Sequence, residues 1–332
     1  MKWLGRLFIL LLVLTLVYLL GPNPSDPRYD KSLPDITVTT QQLDSLVRTE
    51  ESLHPVKPEN EARIIWNDDS LKNPTEYAVV YLHGFSASQE EGDPVHTDFA
   101  RTFGCNLYLA RLAEHGLDTA DPMINLTADA YWESAKRALA MGKKVGRKVI
   151  LMGTSTGGSQ AIQLAATYPE DVAALVLLSP NIEINDPNAF LLNNPWGLQL
   201  ARLVKRSRDN EASDQREIYK KHWYSRYRLE GTVALQEMLE TSMIPENFRK
   251  ITQPVLLLYY YKDESHQDPV VKVSAMQKMF DQLSTPPAFK RQVAIPEAGD
   301  HVIGSYIKSN DLPSVQKAIH AFAVDVLKLS PR

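Results

Sequence analysis

The chain has 332 residues, a formal net charge of −4, 44% hydrophobic residues and 23% charged residues. That length accommodates one large α/β domain with an inserted segment, or two smaller domains, and the composition is that of a globular protein. The acidic balance and the lack of a basic stripe argue against a nucleic-acid partner, and the single cysteine, Cys105, excludes an internal disulfide.

In chain order the first signal is apolar. Lys2 and Arg6 lie ahead of a run from Leu7 to Leu20 that is apolar apart from Thr15. Its length approaches the roughly 20 residues that cross a bilayer. The exit, Leu19-Leu20-Gly21-Pro22-Asn23-Pro24, lacks the small-x-small pattern of a cleavage site, and no cysteine follows that would take a lipid. Residues 1–21 are therefore expected to form an uncleaved signal anchor, with the remainder of the chain on the non-cytoplasmic side, the bacterial periplasm. Cleavage and secretion are the alternative. Residues 22–42, with Pro22, Pro24, Pro27 and Pro34, are expected as an extended tether.

From residue 43 the pattern becomes that of a core. Residues 62–66 form a strand-like stretch, and 77–82 is an unbroken apolar run of the kind found in a parallel strand covered on both faces. That strand leads into His83-Gly84-Phe85-Ser86, where Gly84 lets the backbone turn close to a ligand. Strands are expected again at 105–109, 148–152, 173–178, 255–261 and 290–295. Helices are expected at 128–141, 156–168, 274–283 and 313–329. This alternation predicts an α/β fold, a mostly parallel sheet flanked by helices, built from residues 43–180 and 252–332. Residues 181–251 break the rhythm with Trp196, Trp223, Tyr224, Tyr227, Leu235 and Met238 at roughly helical spacing, which predicts an inserted helical cap.

Gly153-Thr154-Ser155-Thr156-Gly157 follows the strand at 148–152 and precedes a helix. A serine on so sharp a turn needs glycines at both sides, and its hydroxyl is pushed into the open beside unpaired helix N-terminal amides. Ser155 is thus expected as a nucleophile, with the amides of Thr156 and Phe85 as two donors for an oxyanion. Late in the chain, Pro296-Glu297-Ala298-Gly299-Asp300 leads from a strand into His301, placed like a general base. His54, His96, His222, His266 and His320 sit in polar loops or helices and are expected at the surface or in packing. Between the two, the strand at 255–261 is followed by Asp263, Glu264 and Asp268, three competing carboxylates. Spacing to the next helix favours Asp268 as the orienting acid, with Asp263 as the main alternative.

These motifs, together with the order Ser, Asp, His, resemble the α/β-hydrolase fold superfamily of serine esterases and lipases over residues 62–329. Arg111-Leu112-Ala113-Glu114-His115-Gly116 is similar to the G-H-G loop of monoacylglycerol lipases and related carboxylesterases, with Glu114 in place of the first glycine. The resemblance implies ester hydrolysis through an acyl-enzyme on Ser155, with no cofactor and no metal. Acyl transfer or peptide cleavage by the same residues, and a membrane-tethered binding scaffold without catalysis, are the rival expectations.

Overall fold

The structure, a computed structural model, describes residues 2–332; Met1 and the Lys2 side chain, part of the expected anchor, lie outside the described residues. Seven strands form the main sheet: β1 (Arg63–Ile65), β2 (Thr75–Leu82), β3 (Asn106–Leu109), β4 (Gly146–Thr154), β5 (Val172–Leu178), β6 (Val255–Tyr259) and β7 (Lys290–Ala294). Their spatial order is β1-β3-β2-β4-β5-β6-β7. Only β1, at the edge, runs antiparallel to its neighbour; every other pairing is parallel.

The apolar runs are long because both faces of the sheet are covered. Side chains alternate across a strand, so Ala78, Val80 and Leu82 of β2 join one core with Val149 and Leu151 of β4. Val79 and Tyr81 join a second core with Ile150 and Met152. The first is closed by helices Ala128–Val145, Thr156–Thr167 and Val273–Gln282, the second by Val95–Phe103 and Leu312–Asp325. Helix crossovers between parallel strands bring all their C-terminal ends to one edge, where loops can converge on a ligand. The loops after β2, β4, β6 and β7 carry Phe85, Ser155, Asp268 and His301 to that edge.

Above it sits the segment between β5 and β6. It holds the helices Gly197–Lys205, Glu217–His222, Leu229–Ser242 and Pro245–Phe248, and also a small antiparallel hairpin, Asp209–Glu211 with Arg226–Arg228. The segment expected as a helical cap therefore also includes a short polar ribbon. It is tied to the loop after β2: the Tyr224 amide donates to the Ser86 carbonyl at 2.8 Å, and Ala87 bridges Trp223.

The N-terminus departs from expectation. Lys2–Leu19 is a helix of 18 residues whose large apolar side chains from Leu4 onward are exposed. Among the described residues no helix is long and apolar enough to cross a membrane. The expected transmembrane anchor is accordingly not found as such. Residues 22–42, expected as a tether, are strapped to the core. The Tyr29 amide donates to Asp129 at 2.8 Å, Trp132 Nε1 donates to the Asp30 carbonyl at 2.7 Å, and the buried Lys136 ammonium donates to the Ser32 carbonyl at 2.8 Å.

Candidate active site

β4 ends in the turn that carries Ser155, which adopts φ 52° and ψ −121°, a left-handed backbone that a side chain rarely takes. Close approach explains the flanking glycines. A β-carbon on Gly157 would lie 2.0 Å from the Leu82 carbonyl oxygen, and one on Gly153 would lie 2.5 Å from the Gly157 carbonyl oxygen. The turn is held from β5: the Ser155 amide donates to the Leu178 carbonyl at 2.9 Å, and the Asn181 amide donates to the Ser155 carbonyl at 3.0 Å. Thr156 opens the following helix, so its amide has no intrahelical acceptor.

His301 and Asp268 meet from the loops beyond β7 and β6. Nδ1 of His301 lies 2.6 Å from Oδ2 of Asp268, while Oδ1 of Asp268 accepts the amides of Val270 at 2.9 Å and Val271 at 3.0 Å. Both residues are buried, Asp268 to 1% exposure. Burial opposes charge on His301, but the adjacent Asp268 carboxylate, joined by Glu91 and Asp300, holds the imidazole above its ordinary value. Nε2 of His301 has no hydrogen-bond partner among the described residues. His301 lines a cavity of about 880 Å³ together with Ser155 and Phe85, and Leu229, Leu235 and Tyr227 of the inserted segment line it as well.

The competing carboxylates point elsewhere. Asp263 lies on an exposed hairpin and accepts from its own neighbour, with His266 Nδ1 at 2.9 Å; Glu264 is bonded to the Tyr261 hydroxyl at 3.0 Å. His96 and His222, expected in packing or at the surface, are buried and held neutral by desolvation, with values pushed down to about 4.

The loop bearing Phe85 is braced by two histidines for which the sequence reading had no role. His83 Nε2 accepts the Leu112 amide at 3.0 Å, and His115 Nε2 accepts the Ser86 amide at 3.1 Å. Burial pushes His83 down to about 4 and His115 well below its ordinary value, so both stay neutral acceptors. Glu114, at the first-glycine position of the G-H-G loop that Arg111–Gly116 resembles, takes the left-handed φ of 63° that glycine favours. A third unforeseen residue is Glu91, which is 2% exposed, lines the same cavity, and accepts the Gly84 amide at 2.5 Å. Burial pushes its carboxyl up to about 7, against the pull of the Gly84 amide, His301, Tyr81 and Trp223. Within Gln89-Glu90-Glu91 nothing local distinguishes it from a solvated charge.

Comparisons with known proteins agree with this architecture. A family profile described as serine aminopeptidase, S33 (Hydrolase_4) matches residues 74–301. Among solved structures, one from the description of LipS and LipT, two metagenome-derived lipolytic enzymes, aligns with a TM-score of 0.63 at 18% identity, over 80% of this chain and 98% of its own. A monoacylglycerol lipase from Paleococcus ferrophilus aligns with a TM-score of 0.58 at 15% identity, over 79% of this chain and 97% of its own. Est1E from Butyrivibrio proteoclasticus, with ferulic acid bound, gives 0.56 at 18% identity, over 81% and 95%. At such identities the likeness is one of fold. No curated protein sequence matches the chain. Since the family profile covers well over half of the residues, the chain belongs to the serine aminopeptidase S33 family and is a serine hydrolase of the α/β-hydrolase fold.

Proposed function

We propose that the chain hydrolyses carboxylic esters, an acyl glycerol or another small acyl or aryl ester, through an acyl-enzyme on Ser155. The observation that carries this reading is the buried His301–Asp268 pair, in which His301 lines the same cavity as Ser155 and leaves Nε2 without a hydrogen-bond partner among the described residues. In this mechanism Ser155 Oγ attacks the carbonyl carbon while His301 Nε2 takes its proton. Asp268 fixes the tautomer with the proton on Nδ1 and stabilises the imidazolium. The amides of Phe85 and Thr156 receive the oxyanion; the neighbouring amides of Gly84 and Ser86 are engaged by Glu91 and His115, which fixes the loop that carries Phe85. His301 then returns the proton to the leaving alcohol, and water repeats the sequence to free the acid. The apolar roof of the cavity supports an acyl or aryl group as the part recognised.

Turnover of p-nitrophenyl esters by the wild type and by Ser155→Ala tests the reading: loss of at least a thousandfold supports it, and unchanged turnover overturns it. The family description favours a second reading, cleavage of an N-terminal residue from a peptide, for which Asp186 and Asp300 at the cavity offer carboxylates to an ammonium group. Aminoacyl p-nitroanilides turned over faster than esters would decide for it.

We also infer that the N-terminal helix holds the enzyme at a membrane on the non-cytoplasmic side, the bacterial periplasm. A helix that exposes Leu, Ile, Val and Phe around its circumference needs an apolar cover. Fractionation of cells expressing the full chain tests this: recovery from membranes only with detergent supports it, and release of a mature protein lacking residues 1–21 supports cleavage instead.

A further inference from the structure

Glu91 is a buried acid beside the reacting centre whose ionisation the mechanism above does not use. Its setting is geometric before it is electrostatic. Both of its carboxylate oxygens and Ser155 Cβ lie within 3.1 Å of the point that a β-carbon on Gly84 would occupy. Its Oε2 accepts the Gly84 amide at 2.5 Å, one residue ahead of the Phe85 amide assigned to the oxyanion. We propose that Glu91 is a positioning residue that fixes the oxyanion loop through the Gly84 amide, works as the neutral acid, and on ionising sets the alkaline limit of turnover. The proposal rests on the Ser155 reading.

The groups around the carboxyl set its charge. Tyr81 faces it from β2, Trp223 and Tyr219 from the inserted segment, Tyr131 from the helix Ala128–Val145, and His301 from the loop after β7. His96 packs on the Tyr81 ring, with centroids 4.7 Å apart, and Glu90 on its own turn faces Tyr306. Burial holds the three tyrosines above their ordinary range and His96 down at about 4. Glu91 is therefore the acid of this cluster that ionises near neutrality, beside the raised His301 imidazole. Among the described residues, the cation that acts on Glu91 is His301 itself once protonated.

Above pH 7 an ionised Glu91 puts a second negative charge next to the oxyanion that forms on the ester carbonyl. At an effective dielectric of about 20, like charges several ångström apart repel by an amount equivalent to roughly tenfold to a hundredfold in rate. The imidazolium forming on His301 in the same step attracts Glu91 and offsets part of this, leaving about tenfold. Glutamine in its place keeps an acceptor for the Gly84 amide and cannot ionise; alanine leaves that buried amide unpaired.

The test is kcat for a p-nitrophenyl ester between pH 6 and 9, in the full-length wild type, Glu91→Gln and Glu91→Ala. The wild type is expected to pass through a maximum near pH 7 and fall about tenfold by pH 9. Glu91→Gln is expected to stay within about threefold of wild type at pH 6.5 and to reach a plateau at alkaline pH. Glu91→Ala is expected to be depressed by at least tenfold at every pH. A wild type without the alkaline fall, or Glu91→Gln that falls in the same way, overturns the proposal, and so does Glu91→Gln as weak as alanine throughout. Ser155→Ala separates this failure from that of the underlying mechanism. If it still turns over ester, the serine reading fails; if it is dead while Glu91→Gln follows the wild type, only the role of Glu91 fails.

Discussion

Asp268 divides its two oxygens between two tasks: Oδ1 is saturated by the amides of Val270 and Val271, and Oδ2 lies 2.6 Å from Nδ1 of His301. A carboxylate held this way cannot rotate, so it dictates which imidazole nitrogen carries the proton. Asp268→Asn would present an amide group to Nδ1 and favour the wrong tautomer. We expect kcat to fall by about a thousandfold or more. Asp263→Asn, on an exposed hairpin with His266 as its partner, should stay within about twofold. Parallel kinetics on the two variants check the pair, and a larger loss in Asp263→Asn would refute the assignment.

The acid side of the pH profile follows from His301. Its imidazole is held above 6.5 by Asp268, despite the burial that opposes the charge. The mechanism needs the neutral base, so turnover should decline as pH drops through a value above 6.5, with kcat falling tenfold per unit well below it. For stability the sign is opposite. A raised histidine contributes stability that is fully present below its unfolded value and is lost as pH rises through the folded one. Removing Asp268 should move the acid limb to lower pH in whatever activity survives, which the residual rate of Asp268→Asn can show.

How much of this was legible in the chain depends on the range of the forces involved. The parallel strands are visible as apolar runs because a strand covered on both faces has no polar positions, as 77–82 and 255–259 illustrate. Ser155 was visible because the turn is local and its glycines are demanded by contacts within a few residues and with β2. Other features depend on partners distant in sequence. The antiparallel direction of β1 is a matter of pairing, not of composition. The helix Val95–Phe103 has apolar residues at 95, 99 and 103, a helical spacing that goes unnoticed beside the longer helices. Residues 28–36 look like a tether because their anchors, Asp129, Trp132 and Lys136, lie about a hundred residues away. Glu91 looks solvated because its burial comes from Tyr81 and Trp223, and the acid run around it carries no trace of them.

Glu91 also makes a prediction for stability. Its carboxyl titrates at about 7 when folded and near 4.5 when unfolded, because burial disfavours the charge. Between those values the folded state binds the extra proton, so stability falls as pH rises through this window and levels off above it. Glu91→Gln lacks this linkage. Relative to wild type it should gain about 2–3 kcal/mol between pH 4.5 and 7.5. Urea midpoints of both proteins at the two pH values measure the gain, and an unchanged difference would show that the carboxyl is not buried in the neutral form.

The turn at Ser155 should not tolerate a methyl group at Gly157. A β-carbon there would stand 2.0 Å from the Leu82 carbonyl oxygen, which belongs to the backbone of β2 and cannot move without disturbing the Phe85 loop. Gly157→Ala is expected to cost about 3 kcal/mol or more, or to prevent folding. Thermal unfolding and soluble yield report it; full activity with an unchanged melting temperature would mean that the turn is looser than described.

Substrate choice rests on the roof of the cavity. Leu235 is buried and lines it from the helix Leu229–Ser242. A larger side chain there should leave room for a short acyl group and remove room for a long one. Each methylene excluded from an apolar pocket changes discrimination by about 1–3 kcal/mol. Leu235→Trp should therefore lower kcat/KM for the longest p-nitrophenyl ester accepted by at least tenfold, while acetate stays within about threefold. A graded series of chain lengths measured on both proteins reads this directly. Equal losses on all esters would mean that the substitution disturbs the fold, and no loss on any would place the acyl chain elsewhere than under this helix.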